Sequence, residues 1–224
     1  PGGSVVAGVS APASHLDLAE GFVSPSFDEY LSVLNPGMTA ATANITYLVS
    51  GGAPFTQVVG VPANSRQTVH VNQVLQPYVS AAIHIDSTQP LVVERPMYFV
   101  YNGWTGGHDA VATSSASLTS TAYFAEGTTL PQFREYLTVE NPNAGTVPVT
   151  LTYYTASGTV VKGLGLAGLS RTTIQVFAGD MSANGACDPV TSCGVGSGVP
   201  GVSVLVQATG AQPILVERPM YFDY

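Results

Sequence analysis

Apolar and polar residues alternate along this chain in short stretches instead of recurring every three or four positions. Asn44-Ile45-Thr46-Tyr47-Leu48-Val49, Gln67-Thr68-Val69-His70-Val71 and Ala82-Ile83-His84-Ile85-Asp86 carry the two-residue period of strands with one buried face. Strands are predicted at 16–21, 29–34, 43–49, 55–61, 66–72, 80–86 and 91–100, and the later part of the chain repeats their order. Turn-forming clusters separate them, among them Asn35-Pro36-Gly37, Ser50-Gly51-Gly52 and Asn64-Ser65. No stretch keeps a helical period. The expectation is therefore an all-β chain of two tandem immunoglobulin-like antiparallel β-sandwich domains. The buried tryptophan and intersheet disulfide of antibody domains are missing, so kinship with antibodies does not follow.

The duplication is read by comparing the chain with itself. Leu18-Ala19-Glu20-Gly21 answers Phe124-Ala125-Glu126-Gly127, and Phe27-Asp28-Glu29-Tyr30-Leu31 answers Phe133-Arg134-Glu135-Tyr136-Leu137. Asn35-Pro36 answers Asn141-Pro142, and Ser65-Arg66 answers Ser170-Arg171. The block Glu94-Arg95-Pro96-Met97-Tyr98-Phe99 returns as Glu217-Arg218-Pro219-Met220-Tyr221-Phe222, with an insertion before it in the second copy. Both cysteines, Cys187 and Cys193, fall in that insertion. The boundaries expected are an N-terminal connector or donor strand at 1–14, a first sandwich at 15–104, a linker at 105–121, and a second sandwich with the cysteine-bearing insertion at 122–224.

Composition narrows the class. Of the 224 residues 45% are hydrophobic and only 9% charged, with 24 glycines and 16 prolines, as many short strands and tight turns require. No apolar run is long enough to span a membrane as a helix, so no membrane insertion is expected. The net charge of -8 leaves no basic footprint for nucleic acid. Cys187 and Cys193, close together in a Gly/Ser/Pro-rich stretch, read as a local disulfide or as two unpaired thiols. The disulfide would indicate an oxidising, extracellular compartment. No secretory leader is visible, so the sequence reads as a processed chain or a fragment.

The few charges recur at equivalent positions. Glu20 and Glu126, Glu29 and Glu135, Arg66 and Arg171, and the pairs Glu94-Arg95 and Glu217-Arg218 read either as general acids and metal ligands or as structural ion pairs. No nucleophile or histidine is duplicated beside them, which favours ion pairs and predicts that Arg66→Ala impairs folding. His15, His70, His84 and His108 have no counterparts and no ligand spacing, and no catalytic motif is present. No enzyme activity, cofactor or metal is expected. Tyr30, Tyr98 and Phe99, with Tyr136, Tyr221 and Phe222, form either core or a sugar-binding platform. Asn44-Ile45-Thr46 is an N-glycosylation sequon on a predicted strand, and Ser/Thr residues between Ala112 and Ala122 are candidates for O-linked sugar.

The pattern Phe-Ala-Glu-Gly, Asn-Pro, Ser-Arg-x-Thr and Glu-Arg-Pro-Met-Tyr-Phe, followed by Gly106-Gly107-His108-Asp109, resembles a repeat found in tandem copies in secreted and cell-surface bacterial proteins. The resemblance implies an extracellular structural or adhesive role and brings no catalytic residues with it. The N-terminal Gly2-Gly3-Ser4-Val5-Val6-Ala7 looks like the connecting segment Gly106-Gly107-His108-Asp109-Ala110-Val111-Ala112. From this the expectation is a filament subunit that polymerises with itself head to tail, Ser4, Val5, Val6, Ala7 and Val9 lying against an edge of the neighbouring copy. The competing readings are that the boundary belongs to a fragment, or that the segment packs back on its own module. A carbohydrate-binding or adhesive module, meeting glycans or a cell surface, is the alternative.

Overall fold

The computed structural model describes residues 4–223 and divides into two compact units, one ending at Leu118 and the other starting at Thr119. Gly2 and Gly3 of the predicted connector lie outside the described residues. The first unit contains β1 (Ala13–Leu18), β2 (Phe22–Val23), β3 (Phe27–Asn35), β4 (Ala41–Val49), β5 (Phe55–Val61), β6 (Ser65–His70), β7 (Val79–Glu94), β8 (Met97–Tyr101), β9 (Trp104–His108) and β10 (Thr113–Ser114). The second contains β11 (Thr121–Phe124), β12 (Phe133–Asn141), β13 (Val147–Thr155), β14 (Gly158–Leu166), β15 (Ser170–Gln175), β16 (Gly185–Ala186), β17 (Ser203–Ala208), β18 (Leu215–Glu217) and β19 (Met220–Phe222). Pairing is antiparallel except between β14 and β16. No helix among the described residues is long and apolar enough to cross a membrane.

In the first unit one layer runs β10-β1-β7-β4-β5, and β3 carries the other through its pairs with β6, the end of β7, and β8. Strand β7 belongs to both layers: Ala81–Ser87 pairs with β4, while Val92–Glu94 pairs with β3. The crossing point is Thr88-Gln89-Pro90, where proline removes a ladder donor and lets the strand leave one sheet for the other. At the matching Gln212-Pro213 the second unit breaks into separate strands, β17 and β18. Because the last strands pair with β3, the order differs from the ABED/CFG arrangement of immunoglobulin domains, although the two-layer sandwich is the same.

Alternation sets what fills each core. On β3, Phe27, Leu31 and Val33 point inward with Glu29 and Asn35, and β12 repeats this with Phe133, Leu137, Val139, Glu135 and Asn141. Each unit has its own apolar cluster, centred on Leu31, Ile45, Ile83 and Val93 in the first and on Leu137, Leu151, Ile174 and Val206 in the second. Asn35 and Asn141, expected only as turn residues, are fully buried plugs. Asn141 Nδ2 donates to the carbonyls of Gly145, Leu166 and Ala167, and its Oδ1 accepts from Asn143 N. Asn35 likewise donates to Thr39 and Val61 and accepts from Gly37. A carbonyl left unpaired in such a corner costs about 1–3 kcal/mol, which explains an asparagine at a buried strand end.

The expected linker at 105–121 is corrected by the fold. Gly106, Gly107 and His108 complete β9, Thr113–Ser114 pairs with β1, and the units divide after Leu118. A glycine-rich run suggests flexibility, but here it permits close approach. A Cβ on Gly106 would come within 2.9 Å of Phe99 Cζ, and one on Gly107 within 3.1 Å of Tyr98 Cδ1. The β8–β9 hairpin turns through Asn102-Gly103, both with positive φ (50° and 83°), as a two-residue Asn-Gly turn requires. The predicted strand at 91–100 also divides, because Pro96 cannot donate to a ladder, and 71–73 forms a short 3₁₀ turn at the end of the strand predicted at 66–72.

Candidate functional site

Part of the duplicated set of charges comes together in each unit. In the first unit Arg95 is wholly buried, donates to both the backbone carbonyl and the carboxylate of Glu20 (2.8 Å to Oε2), and sends its backbone N–H to Ala110 O (2.8 Å). His108 Nε2 lies 3.4 Å from the same Glu20 oxygen. Beneath them Glu29 occupies an inward position of β3, packed against Gly21: a Cβ there would meet Ala81 O at 2.5 Å and Glu29 Oε1 at 2.9 Å. Glycine at this position is a steric requirement, since any side chain would displace the carboxylate or the strand backbone.

The second unit repeats the arrangement in a more open form. Arg218 lies 3.0 Å from Glu126 and 4.0 Å from Glu135, and the Glu126 side chain is 74% exposed, against 5% for Glu20. Glu135 is fully buried over Gly127 and accepts from Thr128 N (2.8 Å). Burial pushes its carboxyl up to about 7, opposed by Arg218 and by the Thr128 N–H. Tyr47 and Tyr153, the paired tyrosines beside these carboxylates, are raised above the ordinary phenol range, first by burial and then by Glu29 and Glu135 respectively. Glu29 and Glu135 belong to the duplicated charges named in the sequence, and the structure adds that both are buried. The signal for burial was available, as carboxylates at duplicated inward positions of an alternating strand.

The other predicted residues divide. Arg171 is buried on β15 with Glu140 as its cross-strand neighbour, whereas Arg66 is exposed and donates to Thr68 Oγ1 (3.0 Å) without a carboxylate partner among the described residues. Arg66 is thus corrected as an ion-pair member, because its cross-strand neighbour is Leu34 where the second copy has Glu140. Glu94 is also corrected: it pairs backbone to backbone with β3 and Val111 and has no ion pair among the described residues. Glu217 stands half-buried on β18 opposite Thr138. Asn44 is exposed on β4.

Cys187 and Cys193 form the predicted disulfide. Its bearing is wider than a loop staple, for Cys193 is fully buried in the second core with Val195 and Val202, and Cys187 packs against that cluster. Ser4–Pro12 forms no strand, and Ser4, Val5, Ala7 and Val9 are exposed, with Val6 half-buried.

The geometry defines an all-β sandwich protein with a repeated buried carboxylate–arginine end. No protein-family model matches the chain, and no curated protein does. Among solved structures it is similar to a Thermotoga maritima protein designated 1070, at 15% identity and a TM-score of 0.44, over 46% of this chain and 95% of that one. It is also similar to the sensory rhodopsin transducer of Anabaena, at 27% identity and a TM-score of 0.35, over 38% of this chain and 96% of that one.

Arg95→Ala strands the buried Glu20 carboxylate and is expected to cost about 3–5 kcal/mol in denaturant unfolding, whereas Arg66→Ala should stay within about 0.5 kcal/mol. Glu135 is raised relative to the unfolded chain, so the fold favours its protonated form. That contribution is fully present below the unfolded carboxyl range, about 4.3, and is lost as pH rises through about 7. Glu135→Gln should flatten the melting temperature between pH 5 and 8, with the gain over wild type largest above pH 7.

Proposed function

We propose that the protein is a structural subunit of an extracellular filament or surface assembly, built head to tail by adding the N-terminal segment of one copy to the second unit of the next. One observation carries this reading. In the first unit residues 104–114 run alongside the fold: β9 pairs with β8, Ala110 O accepts from Arg95 N, Ala112 N donates to Val93 O, and β10 pairs with β1. In the second unit, among the described residues, β19 pairs with β12, β11 pairs with β17, and Arg218 Nε and Nη1 are buried without a hydrogen-bond partner.

The occupant is argued from sequence. Ser4-Val5-Val6-Ala7 resembles the His108-Asp109-Ala110-Val111-Ala112 segment that runs alongside the fold in the first unit, and Ser4–Pro12 makes no strand of its own. Strand addition gives an open edge its main-chain partners, and a contact that does not close on itself propagates. The disulfide agrees with an oxidising compartment. The full chain is expected to form fibres under negative-stain microscopy; deleting residues 1–12 removes no described strand, so the shortened chain should keep its circular dichroism and form none. Fibres persisting unchanged would overturn the proposal.

A second reading, binding of glycans, has its own observation. Tyr98 is 58% exposed and meets Tyr30 edge to face, while Tyr30 stacks on His70 at 4.5 Å and both Tyr30 and His70 bond Asp28. An exposed ring beside a carboxylate suits a sugar. On this reading Tyr98→Ala abolishes retention on a glycan array and leaves any fibres intact.

A further inference from the structure

Four side chains expected to be unrelated share the outer face of the first unit. Strands β1 and β7 are in antiparallel register with His15 opposite Asp86 and Asp17 opposite His84. The residues between them, Leu16 and Ile85, point into the core, so all four ionisable groups stand on the other face. They form a continuous line. Ser115 Oγ donates to Asp17 Oδ2 (2.5 Å), Asp17 Oδ1 lies 2.6 Å from His84 Nδ1, His84 Nε2 lies 3.3 Å from Asp86 Oδ2, and Asp86 Oδ1 lies 2.5 Å from His15 Nδ1. Asp17 is buried, while His84, Asp86 and His15 are progressively accessible from solvent.

The second unit forms the same strand pair without this line. In the second unit the same register pairs Thr121 with Gln207 and Tyr123 with Leu205, and the strands form without any of the four groups. One copy alone places two histidines and two aspartates in contact along this strand pair.

We propose that His84, Asp86 and His15 bind one divalent transition-metal ion of the zinc class, with Asp17 as the positioning residue. The His84 ring would be held by its Nδ1–H bond to Asp17, leaving the Nε2 lone pair to face outward beside Asp86. A carboxylate behind a ligating histidine fixes the tautomer and ring angle in this way. The 3.3 Å between His84 Nε2 and Asp86 Oδ2 matches the edge of a tetrahedron whose ligands lie roughly 2.0–2.1 Å from its centre. His15, the most exposed of the three, contacts the other Asp86 oxygen, Oδ1, and its ring would have to leave that contact and turn toward His84 Nε2 to join the site, with water completing the coordination. Two imidazoles and a carboxylate favour zinc, nickel or copper over calcium or magnesium. Entry of the ion displaces the protons now shared along the line, so binding releases protons.

Titration of the full-length, metal-stripped chain with Zn²⁺ by calorimetry, and with Co²⁺ by visible absorption, tests this. The expected result is one saturable site, intense tetrahedral Co²⁺ bands, proton release measured in buffers of different ionisation enthalpy, and a higher melting temperature with metal. His84→Ala and Asp86→Asn should each weaken binding at least tenfold, and Asp17→Asn about 10–100-fold as a second-sphere change. His70→Ala, on another face, should leave it unchanged. Circular dichroism of each variant separates lost binding from lost folding. Absence of saturable binding up to 100-fold molar excess, or binding that survives both His84→Ala and Asp86→Asn in folded protein, would overturn the proposal.

Discussion

A guanidinium can leave water only if carboxylate and carbonyl oxygens receive its N–H groups, and the first unit is arranged around that requirement. Arg95, wholly buried, joins three stretches remote in sequence: the Glu20 segment after β1, the corner between β7 and β8, and the connecting residues that follow β9. Each supplies something the others cannot. Glu20 provides charge, Ala110 provides a main-chain acceptor, and Gly21 leaves room for Glu29 beneath. Arg218 faces the same requirement in the second unit with an exposed Glu126 and a more distant Glu135. Two copies of one motif therefore differ in how far their buried charge is compensated.

That contrast makes edge completion the organising theme. In the first unit residues 104–114 close the edge that β8 and β1 would otherwise present, and the main chain is satisfied within the unit. In the second unit the equivalent strands are β19 and β11, where the proposed contact between copies would act. The His–Asp line on β1 and β7 belongs to a different logic. It lies on the face opposite Leu16 and Ile85 and is missing from the second copy.

Much of this was legible beforehand. Alternation located β3, β4, β5 and their counterparts because a half-buried strand must repeat every two residues, and self-comparison exposed the duplicated Glu-Gly, Asn-Pro and Glu-Arg-Pro blocks. Other features were present but misread. Asn102-Gly103 was a hairpin signal inside what was taken as a module end, and Gly106-Gly107 suggested a linker because sequence does not reveal which aromatic ring a glycine lies against. Arg66 and Arg171 look equivalent along the chain, yet one faces Leu34 and the other Glu140 across the ladder.

The sequence by itself determined the strand period, the duplication, the cysteine pair and the residues available for ion pairing, because these depend on local spacing and composition. Tertiary structure decided which of those residues meet. Pairing across strands joins positions dozens of residues apart, and a register brings His15 to Asp86 and Asp17 to His84 where no linear spacing foretold it. It also decided that Asn35 and Asn141 are buried plugs and that the connecting segment is a strand. A buried polar group must find its partner wherever the chain has carried one, and that address is written in the fold.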